Sequence, residues 1–259
     1  MLPIMNLGPL ALPVPAPVLL AGIWVCIYLS EKSARRFGLS PSKISSLIII
    51  MLVSGFIGAR LTYLIRYPDA FIKQPLDILS RSPGLLDPLG GIALGMITGL
   101  IYGQRKGLPL WRTLDTLTPG LAMLSICIGI SNLASGDAFG KPTDLPWGIY
   151  LWGDYRHPTQ IYEIILFALL FGFIVATINK WVAAKPGMLF LTFLASASAI
   201  SIIVEGFRSD SLLFHETYRT VQLIAWLVLA LCLWGIRERL EKQTQDNQKF
   251  PLPDIKEKQ

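Results

Sequence analysis

The chain contains the uncharged segment Ile164-Ile-Leu-Phe-Ala-Leu-Leu-Phe-Gly-Phe-Ile-Val-Ala-Thr-Ile178. It lies inside a longer apolar run, 160–178. Such a run is typical of a membrane-crossing helix, because a hydrocarbon core of about 30 Å needs about 20 mostly apolar residues. Similar runs recur along the chain, and the full set is 13–29, 44–65, 86–103, 114–133, 160–178, 188–207 and 221–236. The sequence therefore predicts an all-α polytopic membrane protein, a seven-transmembrane helix bundle.

Composition agrees with a membrane protein. The chain has 259 residues, of which 53% are hydrophobic and 15% are charged, whereas a soluble domain usually carries about 25% charged residues. The charges lie between the apolar runs and at the end of the chain. We therefore predict a single transmembrane domain at 1–236 and a polar tail at 237–259, which begins as a helical extension at Arg237.

The basic residues indicate an orientation. Fifteen of them fall in the loops 30–43, 104–113 and 179–187 and in the tail, whereas seven fall in the loops on the opposite side. The positive-inside rule places the more basic side in the cytoplasm. This predicts an external N-terminus and a cytoplasmic C-terminus. The net charge of +6 then reflects topology and attraction to anionic lipid, and no nucleic-acid partner is expected.

The three cysteines give no sign of a disulfide or metal site. Cys26, Cys127 and Cys232 lie inside apolar runs, and no CxxC or zinc-ligand spacing occurs. Thiols in such positions usually behave as small apolar groups. We predict no metal site and no cofactor.

Polar residues mark the predicted external ends of the second and fourth runs. Arg60 follows the small residues Gly55 and Gly58, which would let helices approach closely. Its side chain either has a function or extends to the headgroups. Asn132, followed by Gly136 and Asp137, either belongs to a site or only marks the helix exit.

The densest polar cluster is Arg156-His-Pro-Thr-Gln-Ile-Tyr-Glu163. Gln160 and Glu163 are three residues apart, so they share one helix face. A carboxylate at that depth needs a partner or a wet cavity, and His157 and Tyr162 lie close in sequence. We interpret this cluster as part of a site rather than as surface residues.

Glu205 and Arg208 close the sixth run. The simplest interpretation is an ion pair that supports one helix. Together with Arg60 and Arg156, however, Arg208 could form an outward-facing pocket. Guanidinium groups bind phosphate bidentately, so the physics favours an anionic phospholipid as ligand.

Several motifs together resemble the prolipoprotein diacylglyceryl transferase family, from about Leu7 to about Gly235. The most specific is the stretch Arg156–Glu163. Others in matching order are Gly58-Ala-Arg-Leu61, Gly90-Gly91, Asn132 with Gly136-Asp137 and Gly140, Pro146-Trp-Gly148, and Val204-Glu-Gly-Phe-Arg208. The resemblance implies seven helices with an external N-terminus in the bacterial plasma (inner) membrane.

The resemblance also implies an activity. Family members transfer a diacylglyceryl group from phosphatidylglycerol to a lipobox cysteine thiol of a preprolipoprotein, so the expected partners are this lipid and the lipobox segment. The candidate catalytic residues are His157, Asp137 and Glu205. The candidate substrate-binding residues are Arg60, Asn132, Gly136, Arg156, Gln160, Tyr162, Glu163 and Arg208.

Three positions depart from the family pattern. Leu89 stands at the usual histidine position, and Gly129 and Ser201 stand at arginine positions. Two hypotheses follow. The chain is a divergent transferase in which other arginines contact the lipid, or it is a non-catalytic paralogue that binds lipid, a lipobox segment or a membrane partner. A transporter is disfavoured, because no internal repeat is visible.

Overall fold

Each predicted apolar run corresponds to an α-helix of the computed structural model. The structure describes residues 4–7, 10–68, 86–211, 213–214 and 218–249, and it describes side chains for 14–68, 86–211 and 218–241. The seven helices in these ranges are α1 Pro15–Arg36, α2 Pro41–Arg66, α3 Pro88–Arg105, α4 Leu110–Ser135, α5 Thr159–Ala183, α6 Met188–Glu205 and α7 Thr220–Lys249. Most extend past their apolar runs into charged ends, and α7 continues the predicted helical extension as far as Lys249. Most of the predicted loop 66–85 and the end of the tail lie outside the described residues.

Six of these helices are long and apolar enough to cross a membrane: α1, α2, α4, α5, α6 and α7 as far as Glu241. The chain is therefore a multi-pass membrane protein. The helix α3 has 18 residues, about 27 Å at 1.5 Å per residue, and is not one of the six. The seven-span count stays a prediction.

The structure adds three antiparallel hairpins to the predicted all-α fold. They are β1 Ile4–Leu7 with β2 Leu10–Pro13, β3 Ile149–Leu151 with β4 Asp154–Arg156, and β5 Leu213–Phe214 with β6 Tyr218–Arg219. These strands could not be predicted from the sequence, because two to four residues are too few to show an alternating pattern.

The chain forms two compact units, one made of 29–116 and the other of 1–28 with 117–259. In the first unit, α2 and α3 pack through glycines. A Cβ on Gly91 would lie 2.9 Å from the carbonyl oxygen of Gly55, and Ser54 Oγ lies 2.6 Å from Thr98 Oγ1. The predicted close helix approach at these glycines is confirmed.

A buried carboxylate begins α3. Asp87 is 5% exposed, and its Oδ1 accepts a hydrogen bond from the Gly90 amide at 3.1 Å. Its Oδ2 pairs with Arg66 Nη1 at 2.7 Å. This N-cap satisfies a helix-end donor and ties the end of α2 to the start of α3.

Arg60 belongs to this first unit and is 9% exposed. It is buried together with its neighbours Gly58 and Ala59. The side chain is thus largely enclosed by protein, and its extension to the headgroups stays a prediction. Its predicted role in substrate binding stays a prediction.

In the second unit, α6 packs against α5 and α7. Its contact with α7 is made through Leu191, Ala195 and Cys232. Cys232 is 3% exposed and free. It acts here as a small apolar group, as the sequence predicts. This packing fixes the end of α6, where Glu205 and Arg208 lie.

Candidate functional site

The exit from α4 is a tight turn in the second unit. Gly136 has a φ of +81° and Ala138 a φ of +56°, and the Gly136 amide donates to the carbonyl oxygen of Asn132 at 2.9 Å. The helix-exit interpretation of Asn132 is therefore confirmed for its backbone. Left-handed backbone at a buried alanine is uncommon, so other contacts must stabilise this turn.

Three side chains supply those contacts by binding consecutive carbonyl groups. Trp152 Nε1 donates to Gly136 O at 3.1 Å, Gln160 Nε2 donates to Asp137 O at 2.7 Å, and Thr159 Oγ1 donates to Ala138 O at 2.6 Å. The turn is thus held from the hairpin and from the start of α5. The side chain of Asp137 itself is exposed, so its carboxylate is accessible to a substrate.

The segment after this turn, which contains Gly140 and Lys141, lies between the segment of Arg208 and the segment of His157. Gly140 bridges Arg208 on one side, and the His157 amide donates to Lys141 O at 3.0 Å on the other. A Cβ on Gly140 would overlap His157, with 2.6 Å to its Cβ. Glycine is therefore required here for close backbone approach.

Arg156 binds the backbone of this region. Its Nε donates to Leu151 O at 3.1 Å and its Nη1 to Gly140 O at 3.3 Å. The guanidinium carbon lies 5.1 Å from the centre of the Phe139 ring. These contacts hold the β3–β4 hairpin against the exit turn, which is a structural use of a residue predicted to bind substrate.

A chain of aromatic side chains includes His157. Trp147 Nε1 donates to Tyr162 Oη at 2.9 Å, and Tyr162 Oη lies 3.3 Å from His157 Nδ1. An indole N–H can only donate, so the tyrosine proton is available for Nδ1. Phe207 packs on His157, with ring centres 5.2 Å apart.

An ionic cluster lies where α6 ends. Arg208 Nη1 lies 3.5 Å from Glu205 Oε2, and Arg208 Nε donates to Asp210 Oδ1 at 3.0 Å. The predicted pair of Glu205 and Arg208 is confirmed. Asp210 also accepts the Ala138 amide at 2.9 Å through Oδ2, which links the cluster to the exit turn.

The charge state of Arg208 follows from its neighbours. Burial alone would lower the pKa of Arg208, but the hydrogen bond and charge of Asp210, with the charges of Glu205 and Glu163, raise it above its ordinary value. Arg208 therefore stays cationic. Its side chain is 26% exposed, and a guanidinium has five N–H donors, so donors remain for a ligand.

Four buried polar atoms in this unit have no hydrogen-bond partner among the described residues. They are Gln160 Oε1, Glu205 Oε1, Ser211 Oγ and Arg219 Nη1. Arg219 uses its Nη2 to donate to Arg208 O at 2.9 Å. Native proteins satisfy most buried polar groups, so a ligand or water is expected at these atoms.

The predicted residues thus fall into three places. The exit turn gathers Asn132, Gly136, Asp137, Arg156, His157, Gln160 and Tyr162; the ionic cluster gathers Glu163, Glu205 and Arg208; and Arg60 lies in the other unit. Sequence reasoning missed Asp210, Arg219 and Trp152. Of these three residues, only Asp210 could have been proposed from the sequence, because it follows the predicted site residue Arg208 by two positions.

Six candidate membrane-crossing helices define a multi-pass membrane protein. Its second unit carries a charged, hydrogen-bonded site where α4 and α6 end and α5 begins. Residues 3–237 match the family described as prolipoprotein diacylglyceryl transferase. The chain belongs to this family.

Curated relatives carry the same name. The chain is 27% identical to phosphatidylglycerol–prolipoprotein diacylglyceryl transferase of Nostoc sp., over 97% of this chain and 92% of the relative. It is 30% identical to the protein of that name from Streptococcus pneumoniae serotype 4, over 89% of this chain and 90% of the relative. The similarity therefore covers nearly the full length of this chain and of each relative.

Proposed function

We propose that the chain is a phosphatidylglycerol–prolipoprotein diacylglyceryl transferase. The observation that carries the proposal is the ionic cluster of Glu205, Arg208 and Asp210 at the end of α6, where the charge of Glu163 in α5 also acts on Arg208. Glu163 and Glu205 lie within α5 and α6, and ionisable residues within membrane-crossing helices are costly and tend to be functional. The relatives named above supply the reaction.

In the proposed reaction, the cysteine thiol of the lipobox loses its proton, and its sulfur attacks the glycerol carbon of the diacylglyceryl group. The C–S bond forms, the C–O bond to phosphate breaks, and glycerol phosphate leaves with the electron pair. Arg208 stabilises the negative charge on the leaving phosphate. No nucleophile is required from this chain, because the substrate brings its own thiol.

Glu205 is the proposed proton acceptor. It is 2% exposed, its Oε1 has no hydrogen-bond partner among the described residues, and its Oε2 lies beside Arg208. A base beside the phosphate-binding group would also lie near the bond that breaks. The exposed carboxylate of Asp137 and the imidazole of His157 are the alternatives, and each is tested by its own substitution.

We further propose the topology in which this reaction takes place. Seven spans form one membrane domain at 1–236 in a bacterial inner membrane, with the N-terminus outside and the tail 237–259 in the cytoplasm. The loop charges support this orientation. The ionic cluster then faces the outer leaflet, where it meets phosphatidylglycerol and the lipobox segment.

The test uses the full chain in vesicles that contain phosphatidylglycerol, with a peptide carrying one lipobox cysteine. Mass spectrometry measures the thioether product. We expect product with the cysteine peptide and none with a serine peptide. Absence of product, together with failure to restore growth of a transferase-depleted cell, would overturn the proposal.

Substitutions then assign the roles. Arg208→Ala is expected to lower the product rate about 100-fold or more, since removing one group that stabilises developing charge has that effect. Arg208→Lys keeps the charge and retains part of the rate. The matched control is Arg237→Ala, an arginine that is 77% exposed and also ion-paired, which should keep the full rate.

The second candidate function is lipid binding without transfer. Gly129 favours it, because a Cβ there would lie 2.8 Å from Ile164 Cγ1. The space that an arginine side chain would need at this position is therefore filled by α5. Saturable binding of phosphatidylglycerol, with no thioether product, would support this function over the first.

A further inference from the structure

The β3–β4 hairpin has two unlike faces. Leu151 is 7% exposed and faces the protein, whereas the paired residues Tyr150 and Tyr155 are 66% and 59% exposed. Their rings meet edge to face with centres 5.4 Å apart. Trp147 precedes the hairpin and is 57% exposed. We call the surface made of Tyr150, Tyr155 and Trp147 the aromatic face.

The hairpin is built rigidly, so the aromatic face has a fixed direction. Its two-residue turn has Trp152 at φ +54° and Gly153 at φ +85°, the backbone that type I′ hairpin turns require. A bulky residue at positive φ costs about 1–2 kcal/mol. The hydrogen bond from Trp152 to Gly136 and the two hydrogen bonds from Arg156 offset that cost.

The hairpin directly precedes α5. This helix has 25 residues and is about 37 Å long, which exceeds the hydrocarbon core of about 30 Å. Its predicted apolar run begins at residue 160, so the start of α5 at Thr159 is expected at the edge of the headgroup layer. Tyr155 is four residues earlier, within about 14 Å along an extended chain.

We propose that the aromatic face rests in the headgroup layer of the leaflet that surrounds the start of α5, and anchors the site region to the lipid surface. Tyrosine and tryptophan concentrate in this layer because their rings are apolar and their O–H and N–H groups remain hydrated.

A protein partner fits this face less well. Each strand has three residues, and an aromatic side chain buries about 150–250 Å². Three such side chains fall short of the roughly 800 Å² that each partner contributes to a stable interface. A second copy of the chain or a bound substrate peptide would therefore need further surface.

The test attaches a spin label to Tyr150→Cys and, separately, to Tyr155→Cys in the full chain. The matched control is Asp144→Cys, an exposed carboxylate position in a depression of the same loop that is lined also by Pro142, Thr143 and Tyr155. Native cysteines stay in place, and labelling of the wild-type chain gives the background to subtract. Thermal unfolding checks that each variant folds.

Collision rates with oxygen, which enters lipid, and with a water-soluble nickel chelate are then measured in phosphatidylglycerol-containing vesicles. We expect the ratio of oxygen to nickel rates at both tyrosine positions to exceed that at position 144 about fivefold. Equal ratios at all three positions would overturn the proposal. Shielding of both tyrosine positions from both probes would also overturn the proposal in two cases. If the shielding arises only at high protein-to-lipid ratio, a second copy covers the face; if it arises only after peptide is added, the substrate peptide covers it.

Discussion

Arg156 is expected to be a clamp on the backbone rather than a ligand for phosphate. The perturbation that separates these roles is Arg156→Met, which keeps an apolar stem like that of arginine but removes every donor. The substitution deletes the hydrogen bonds to Leu151 O and Gly140 O and the contact with the Phe139 ring. Arg156→Lys is the companion variant, because it keeps the charge but not the forked geometry.

The magnitude follows from these contacts. Hydrogen bonds from charged donors contribute about 1.5–3 kcal/mol each, and the two distances of 3.1 and 3.3 Å are near the long end of the usual range. We therefore take the lower value for each and add about 0.5–1 kcal/mol for the ring contact. Local opening of the hairpin should become easier by about 3–4 kcal/mol, or roughly 100- to 1000-fold.

The assay is hydrogen–deuterium exchange of the chain in vesicles. The His157 and Thr143 amides, which bond to Lys141 O and Tyr155 O, should exchange faster by that factor in Arg156→Met. The lysine variant should lie between, because one ammonium group cannot reach both carbonyls in the same geometry. Amides of α6 serve as the internal reference.

A different outcome would refute the clamp. If the exchange rates of these amides in Arg156→Met stay within about threefold of wild type while phosphatidylglycerol binding falls, Arg156 binds the headgroup directly. If binding falls only in parallel with faster exchange, the loss is a consequence of the opened loop.

Three further predictions concern other parts of the chain. Gly91→Ala should lower the free energy of unfolding by about 1–3 kcal/mol, seen as a lower Tm, because its Cβ would lie 2.9 Å from Gly55 O; an unchanged Tm would contradict the tight packing. Asp87→Ala should lower the free energy of unfolding by about 1–2 kcal/mol, mostly through the lost cap on the Gly90 amide, because the ion pair with the exposed Arg66 adds little. Asp87→Asn, which can still cap the helix, should recover most of this stability. Phosphatidylglycerol binding should not change between about pH 6 and 10 through Arg208, because a pKa raised above its ordinary value keeps the guanidinium charged throughout that range. A loss of binding that follows a titration in that range and disappears in Arg208→Ala would contradict this.

The helical architecture could be predicted because the signal is local. An apolar run of about 20 residues specifies a membrane-crossing helix by its own length and composition, and 114–133 and 160–178 lie within α4 and α5. The ion pair of Glu205 and Arg208 could be predicted for the same reason, because residues three apart on a helix end are neighbours.

Only the tertiary structure decided what most site residues contact. Arg156 binds the carbonyl of Gly140, sixteen residues away, and Asp210 binds the amide of Ala138 across 72 residues. Backbone carbonyls and amides are the same in every residue, so no sequence pattern marks which of them will be left to accept a side chain.

The sequence by itself thus determined a multi-pass helical protein, and it predicted the residue types of a phosphate-binding site. The tertiary structure decided that Arg156 clamps a hairpin, that Gly140 must lack a Cβ because His157 lies against it, and that Arg208 is the half-exposed arginine of the ionic cluster. The physical reason is that burial and hydrogen bonding depend on segments far apart in sequence, whereas hydrophobic length and helical spacing do not.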